Sequence, residues 1–170
     1  MSLARAKRVR STKRGEAMIL FGVGAYVFGV SAAAVDEIRS ADALKPFTPL
    51  PRMRVPTVRY TLLRDGKTFF VVDANLHFGM KASPVTRVLL LRHSPVALAV
   101  GQTHRMTEIA ALYSLPHAFT GKEREWYRGL ALMGEDLVPV VSPAALLDEM
   151  QLEQLRMAYS TERAVKGATA

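Results

Sequence analysis

The stretch that decides the fold of this chain is residues 17–35, which reads AMILFGVGAYVFGVSAAAV and carries no charged side chain. A basic segment precedes it, and its length approaches the roughly 20 apolar residues that a helix needs to cross a bilayer. The small residues at 31–34 are also typical of the end of a signal peptide. A membrane span or an export signal is therefore one interpretation of this window.

The same window also has the pattern of two short strands. Gly22, Gly24 and Gly29 interrupt it, and each glycine destabilises a soluble helix by roughly 1 kcal/mol. The runs between the glycines, at 18–21 and 26–28, consist mainly of β-forming residues. A hairpin that turns at residues 22–25 explains this pattern at least as well as a helix does. The window by itself leaves both interpretations open.

The composition indicates one globular domain with a basic N-terminal segment. The chain has 170 residues, of which 49% are hydrophobic and 22% are charged. Residues 1–16 hold six basic residues and one acidic residue, a net of +5 out of the whole chain's +8. We expect residues 1–16 to form a disordered arm that can contact anionic lipid or nucleic acid. Because no cysteine is present, disulfides and thiolate chemistry are excluded, and the composition is compatible with a cytoplasmic location.

Short apolar runs separated by glycine and proline predict a mostly β fold. Asp65-Gly66 is a strong hairpin signal, because the turn needs positive φ angles. Ser142 and Pro143 mark the start of a C-terminal helix. No long helix is predicted between strands, which favours a barrel or a sandwich over a parallel α/β sheet. The predicted strands lie at 58–63, 68–72, 87–92, 96–100, 127–133 and 137–141. Residues 106–112 are predicted as a strand or short helix, residues 31–40 and 73–80 as short helices or turns, and residues 114–125 as a loop. A helix is predicted at 143–160, followed by a tail at 161–170.

The sequence offers no arrangement typical of an enzyme. The histidines have none of the spacings that metal sites use, and no phosphate-binding or nucleophile motif is present. The carboxylates at predicted turns are typical of groups that bond to the local backbone. We therefore expect no catalytic residue, no metal and no cofactor. The histidines are His77, His93, His104 and His117.

The order of these elements resembles the CheW-like coupling proteins of bacterial chemotaxis. Residues 35–39, Val-Asp-Glu-Ile-Arg, are similar to that family's valine-x-glutamate-isoleucine-arginine segment. Residues 62–66 stand where the family has asparagine-leucine-arginine-glycine, with Asp65 inserted after Arg64. Gly101 follows Val100 where the family often has aspartate. The resemblance covers about residues 17–150. The further segments that are similar to the family are 19–30, 71–79 and 128–140, together with Leu146-Leu147.

The resemblance implies two small interlocked five-stranded, SH3-like β-barrel subdomains with a C-terminal helix, over residues 17–160. It assigns residues 17–35 to strands. It also implies a non-enzymatic cytoplasmic adaptor at receptor arrays, which couples the tip of methyl-accepting chemoreceptors to a CheA-type histidine kinase without inserting into the membrane or binding nucleic acid. The alternatives are a single-span membrane protein anchored by residues 17–35 and a nucleic-acid-binding protein that uses the basic arm.

The resemblance also assigns a partner-binding surface. It places Val35, Glu37 and Ile38, together with Arg64, in a receptor-facing groove between the subdomains. Arg87 and Thr103 align near the same groove. An arginine suits such a site, because its planar guanidinium gives a forked pair of hydrogen bonds to a carboxylate.

Overall fold

The computed structural model describes residues 8–48, 53 and 55–168, with side chains from Gly15 onward. The helices in this part of the chain are α1 (Ala74–His77), α2 (Glu123–Trp126) and α3 (Glu149–Ala168). In chain order the strands are β1 (Arg8–Val23), β2 (Tyr26–Ser31), β3 (Val35–Ser40), β4 (Lys45–Pro46), β5 (Val58–Arg64), β6 (Lys67–Asp73), β7 (Arg87–Leu91), β8 (Val96–Val100), β9 (Thr107–Tyr113), β10 (Tyr127–Met133) and β11 (Asp136–Val141).

The uncharged stretch forms a hairpin, as the strand interpretation predicts. β1 and β2 pair in antiparallel fashion around a turn in which Val23 faces Tyr26, and Gly24 has a φ of +60°. Within the described ranges, no helix is both long enough and apolar enough to cross a membrane. The single-span interpretation of residues 17–35 is therefore wrong, because the glycine-rich turn reverses the chain in the middle of the stretch.

Two sheets form the body of the protein. The first is a closed barrel with the strand order β1-β2-β11-β10-β9, and the second has the order β3-β7-β8-β6-β5-β4. The mostly β fold with a closed five-stranded barrel and a C-terminal helix is confirmed. The second unit differs from the predicted five-stranded barrel, because the two-residue strand β4 adds a sixth strand along β5. No pairing between its end strands, β3 and β4, closes this sheet within the described residues.

Several boundaries differ from the sequence-based predictions, and the helix predicted from 143 is a 3-10 helix at Pro143–Ala145 followed by α3 from Glu149. β1 begins at Arg8 and pairs with β9, so residues 8–16 are not a disordered arm; residues 1–7 lie outside the described part. α3 continues to Ala168, so the predicted tail from 161 is helical as far as that residue. Residues 32–34 form a 3-10 helix as predicted, but Val35–Ser40 is strand β3 because its backbone pairs with β7.

The core is continuous between the two sheets. The largest cluster lies between them and under α3, and combines Phe21 and Phe28 of the barrel with Leu89 of the second sheet and Leu155 of the helix. A second cluster, which includes Leu62, lies on the other face of the second sheet, and a third one fills the barrel. β8 is buried along its whole length, as its continuous apolar run predicts.

A short backbone pairing joins the two units. The Gly22 amide donates to the Gln102 carbonyl at 2.7 Å, and the Gly101 amide donates to the Gly22 carbonyl at 2.8 Å. Phe21 and Thr103 form a β-bridge beside these bonds. A Cβ atom on Gly101 would lie 2.9 Å from the Gly22 oxygen, so the backbones approach too closely for any side chain there. This contact is the physical reason for glycine where the family often has aspartate.

Candidate functional site

The best-defined polar groove lies at one end of the second sheet. It has a volume of about 690 Å³ and is bounded by the start of β3, by the turn between β5 and β6, and by the turn between β7 and β8. Both charged and apolar side chains line it. Its lining residues are Asp36, Glu37, Arg64, Asp65, Lys67, Thr68, Phe69, Leu90, Leu91, Arg92, His93, Ser94 and Pro95.

An ion pair between Glu37 and Arg64 lies at the centre of the charged part of this groove. Arg64 Nε donates to Glu37 Oε2 at 2.8 Å, and both side chains are about one third exposed, at 38% and 35%. The two residues lie 27 positions apart in the sequence, on β5 and β3. The hydrogen bond to Glu37, followed by the charges of Asp65 and Glu37, raises the pKa of Arg64, so the guanidinium stays charged.

A second carboxylate contacts the same guanidinium. Arg64 Nη1 donates to Asp65 Oδ1 at 2.6 Å. Asp65 and Gly66 are the two turn residues between β5 and β6, with φ angles of 50° and 74°. Two successive positive φ angles define a type I′ turn, which aspartate and glycine adopt more readily than most residues do. The turn therefore positions the Asp65 carboxylate next to the last side chain of β5.

Arg92 holds the beginning of β3 against the end of β7. Its Nη2 donates to the Val35 carbonyl oxygen at 3.3 Å and lies 3.7 Å from Asp36 Oδ1.

Glu37 contacts a second arginine besides Arg64. The Arg39 Nε lies 3.8 Å from Glu37 Oε1, the carboxylate oxygen that does not bond to Arg64. Glu37 is thus flanked by two arginines, and this flanking fixes where its charge sits in the groove.

The structure brings together only part of the predicted partner-binding set. Glu37 and Arg64 share the polar groove, whereas Val35 is only 6% exposed and its side chain packs in the core. Ile38 is 42% exposed on β3, an end strand of its sheet. Partner binding by Val35 stays a prediction, and its side chain is buried because β3 turns it into the main core cluster.

Arg87 and Thr103 line a separate cavity rather than the groove of Glu37. This cavity has a volume of about 510 Å³ and also includes Ser40 and Asp42. The reason is the register of the β3–β7 pair, in which Arg87 faces Ser40 while Leu90 faces Glu37. Arg87 and Glu37 thus lie towards opposite ends of these strands, and the predicted role of Arg87 and Thr103 in partner binding stays a prediction.

Several groove residues were not identified from the sequence. Arg92 and the following residues 93–95 complete the wall opposite Arg64. The signal that pointed to them was the break between two apolar runs at His93-Ser94-Pro95, which predicts a turn but not its neighbours. His93 has a φ of 57°, as such a tight turn requires. Only the pairing of β7 with β3 brings this turn near Glu37.

A second, more apolar cavity lies on the barrel. It has a volume of about 650 Å³ and is formed by β2, β10, β11 and the segment before α2. Tyr26 and Leu137 are exposed at its rim, by 62% and 39%. Phe119 contributes from the segment before α2. Exposed apolar patches of this kind are typical of protein–protein contact surfaces.

Titratable groups in the described part of the chain do not form a metal-binding cluster. No group of three or more histidine, aspartate or glutamate side chains there is placed to hold a metal ion. His77 is the one buried histidine of this part, at 8% exposure, and its ring lies against Phe78 and Trp126. Burial lowers the pKa of His77 to about 4, so the ring is neutral near pH 7.

Comparison with known proteins agrees with this architecture. The family model described as CheW-like domain matches residues 17–151. The crystal structure of the scaffolding protein TtCheW from Thermoanaerobacter tengcongensis matches with a TM-score of 0.66 and 15% sequence identity, over 81% of this chain and 95% of that chain. At that identity the structural match shows the fold alone. Comparison with curated protein sequences gives no match.

The family match spans most of the chain and includes both sheets, the polar groove and the junction at Gly101. Neither comparison supports nucleic-acid binding or membrane insertion. The chain therefore belongs to the CheW-like domain family, the coupling adaptors of chemotaxis signalling.

Proposed function

We propose that this protein is a non-enzymatic scaffold at the cytoplasmic face of receptor arrays, where it links the tip of a methyl-accepting chemoreceptor to a CheA-type histidine kinase. The observation that carries this proposal is the Glu37–Arg64 ion pair, which the fold assembles from two distant strands inside an open groove. Family membership supports the coupling role, and the groove supplies a surface that suits it.

The groove is suited to a helical partner. It offers the partly exposed apolar side chains of Phe69 and Pro95 beside a line of charged groups. A helix from a receptor hairpin can place an apolar stripe against the former and polar residues against the latter. Arginine is over-represented among the residues that dominate interface energies, and Arg64 is already oriented here by Glu37.

An adaptor needs a second surface that does not overlap the first. The apolar cavity around Tyr26, Phe119 and Leu137 belongs to the barrel, whereas the polar groove belongs to the second sheet. Among the residues that the structure describes, none lines both cavities. We assign the polar groove to the receptor and the apolar cavity to the kinase, so that both partners are able to bind at the same time.

Reconstitution tests this function. The purified protein is mixed with a receptor cytoplasmic hairpin and with the regulatory part of a CheA-type kinase, and complexes are separated by size. We expect a ternary complex, and receptor-dependent stimulation of kinase autophosphorylation only when the adaptor is present. Absence of both binary complexes would refute the proposal.

A further inference from the structure

Arg64 carries one positive charge but lies near three carboxylates. Glu37 occupies its Nε, Asp65 occupies its Nη1, and Asp36 adds a third, more distant carboxylate. Glu37 lies on a different strand and is about one third exposed, so it belongs to the body of the sheet. Asp65 belongs to the turn itself and is 76% exposed, so its carboxylate is free to move away.

The position of the Asp65 carboxylate determines what the rest of the guanidinium is able to bind. A partner carboxylate binds an arginine most strongly through two parallel hydrogen bonds from neighbouring N–H groups. Nε is already used by Glu37, so the outer fork between Nη1 and Nη2 is the edge left for a partner. Asp65 takes one of the two positions of that fork.

Resting on the receptor-binding function argued above, we propose that Asp65 is an intramolecular competitor for a carboxylate of the partner helix at Arg64. Asp65 occupies the position at Arg64 that the partner's carboxylate would take, and its negative charge lowers the affinity of the groove for acidic partners. The relevant partner is a helix with a glutamate or aspartate beside an apolar stripe. Three basic residues, Arg64, Lys67 and Arg92, line the groove against three acidic ones, so loss of the Asp65 charge leaves an excess of positive charge for an acidic partner.

The aspartate also has a role in the turn, so the test must keep that role intact. Asparagine adopts positive φ as readily as aspartate and is favoured at this position of a type I′ turn. Asp65→Asn therefore keeps the turn and removes only the charge. The matched control is Glu135→Gln, which removes the charge of an exposed turn residue outside the groove.

The first experiment needs no partner protein. Sodium acetate is titrated into each variant at constant ionic strength, with sodium chloride as the balancing salt, and the Arg64 side-chain N–H signals are followed by NMR. We expect Asp65→Asn to bind acetate about two- to fivefold more tightly than the unchanged protein, as the strength of an exposed ion pair implies. Glu135→Gln should stay close to the unchanged protein. Equal responses of the two variants, or none in Asp65→Asn, would overturn the proposal.

The second experiment uses the soluble hairpin of a methyl-accepting chemoreceptor, and a version in which its tip glutamates are changed to glutamine. Asp65→Asn should bind the native hairpin about two- to fivefold more tightly, with no gain for the glutamine version. A weaker complex would show that Asp65 itself contacts the partner and would refute the competitor role. If the unchanged protein does not bind the hairpin at all, the receptor-binding function fails, and the acetate titration still decides the role of Asp65.

Discussion

The carbonyl oxygen of Gly22 accepts a hydrogen bond from the amide of Gly101, and it also stands 2.9 Å from the place where a Cβ on Gly101 would be. One atom thus both joins the barrel to the second sheet and excludes a side chain at the junction. The groove and the apolar cavity lie on different sheets, so this contact helps to hold the two candidate binding surfaces in a fixed relation.

Substitution of Gly101 should destabilise the protein. In Gly101→Ala the new Cβ cannot be accommodated without separating the two backbones, and we expect a loss of about 1–3 kcal/mol in the free energy of unfolding. Chemical denaturation measures it. The matched control is Gly167→Ala in α3, where an added Cβ meets nothing within 4 Å. Equal stability of the two variants would contradict the tight contact.

Arg64→Ala should weaken binding of the receptor hairpin by a factor of about 5 to 150, the range typical of a central interface arginine. The thermal midpoint should change little, because the Arg64 side chain is partly exposed and lies outside the core. A calorimetric titration measures the affinity. Arg105→Ala, which changes an exposed arginine elsewhere on the surface, is the control. Unchanged affinity in Arg64→Ala would remove this residue from the site.

Glu37→Gln should reduce the affinity less than Arg64→Ala does, because glutamine still accepts a hydrogen bond but no longer fixes the guanidinium by charge. Combining the two substitutions should add little to the effect of Arg64→Ala alone, since Glu37 acts through Arg64. A double-mutant cycle on hairpin binding tests this coupling. Additive losses would mean that each residue contacts the partner independently.

Leu137→Ser should weaken kinase binding and leave receptor binding intact, because Leu137 lines the apolar cavity and not the polar groove. We expect a loss of about threefold or more, as truncation of an exposed apolar contact implies. Separate titrations with the two partners give the result. A variant that loses both partners while still folded would show that the two surfaces are not separate.

Stability should fall on acidification because of His77. Its pKa is about 4 in the folded protein and about 6.5 when unfolded, so the unfolded chain binds a proton that the folded protein does not. The free energy of unfolding should therefore be constant above pH 6.5, fall between pH 6.5 and 4, and lose about 3 kcal/mol from this group. His77→Leu should remove this part of the pH dependence, and His117→Gln, at an exposed position, should not.

Much of the fold was accessible from the sequence because local signals were strong. The hairpins at Asp65-Gly66 and Gly134-Glu135 and the buried strands β7 and β8 all follow from turn chemistry and apolar runs. The sequence pattern predicts a short helix or turn where the structure has β3, because Val35 and Ile38 are spaced as on a helix. The strand exists through its pairing with β7, which is a long-range contact that no local pattern encodes.

The candidate site is likewise predictable from the sequence only in part. Glu37 and Arg64 were selected by family resemblance, and the residue types of the groove are visible in the sequence. The register of β3 against β7 places Arg87 away from Glu37, and only the assembled second sheet, in which β3 and β5 are not neighbouring strands, brings Glu37 to Arg64. A shift of one residue in a strand moves every side chain to the other face, so the composition of a site formed between strands is fixed only by tertiary pairing.

The sequence by itself determined that this chain is mostly β, because glycine placement and apolar periodicity act over a few residues, whereas the pairing of β1 with β2 decided between a hairpin and a helix for residues 17–35. The tertiary structure alone decided which charges face one another, that Gly101 has no room for a side chain, and that Asp65 shares Arg64 with Glu37. These are relations between residues far apart in the chain, and their energies exist only once the sheets are assembled.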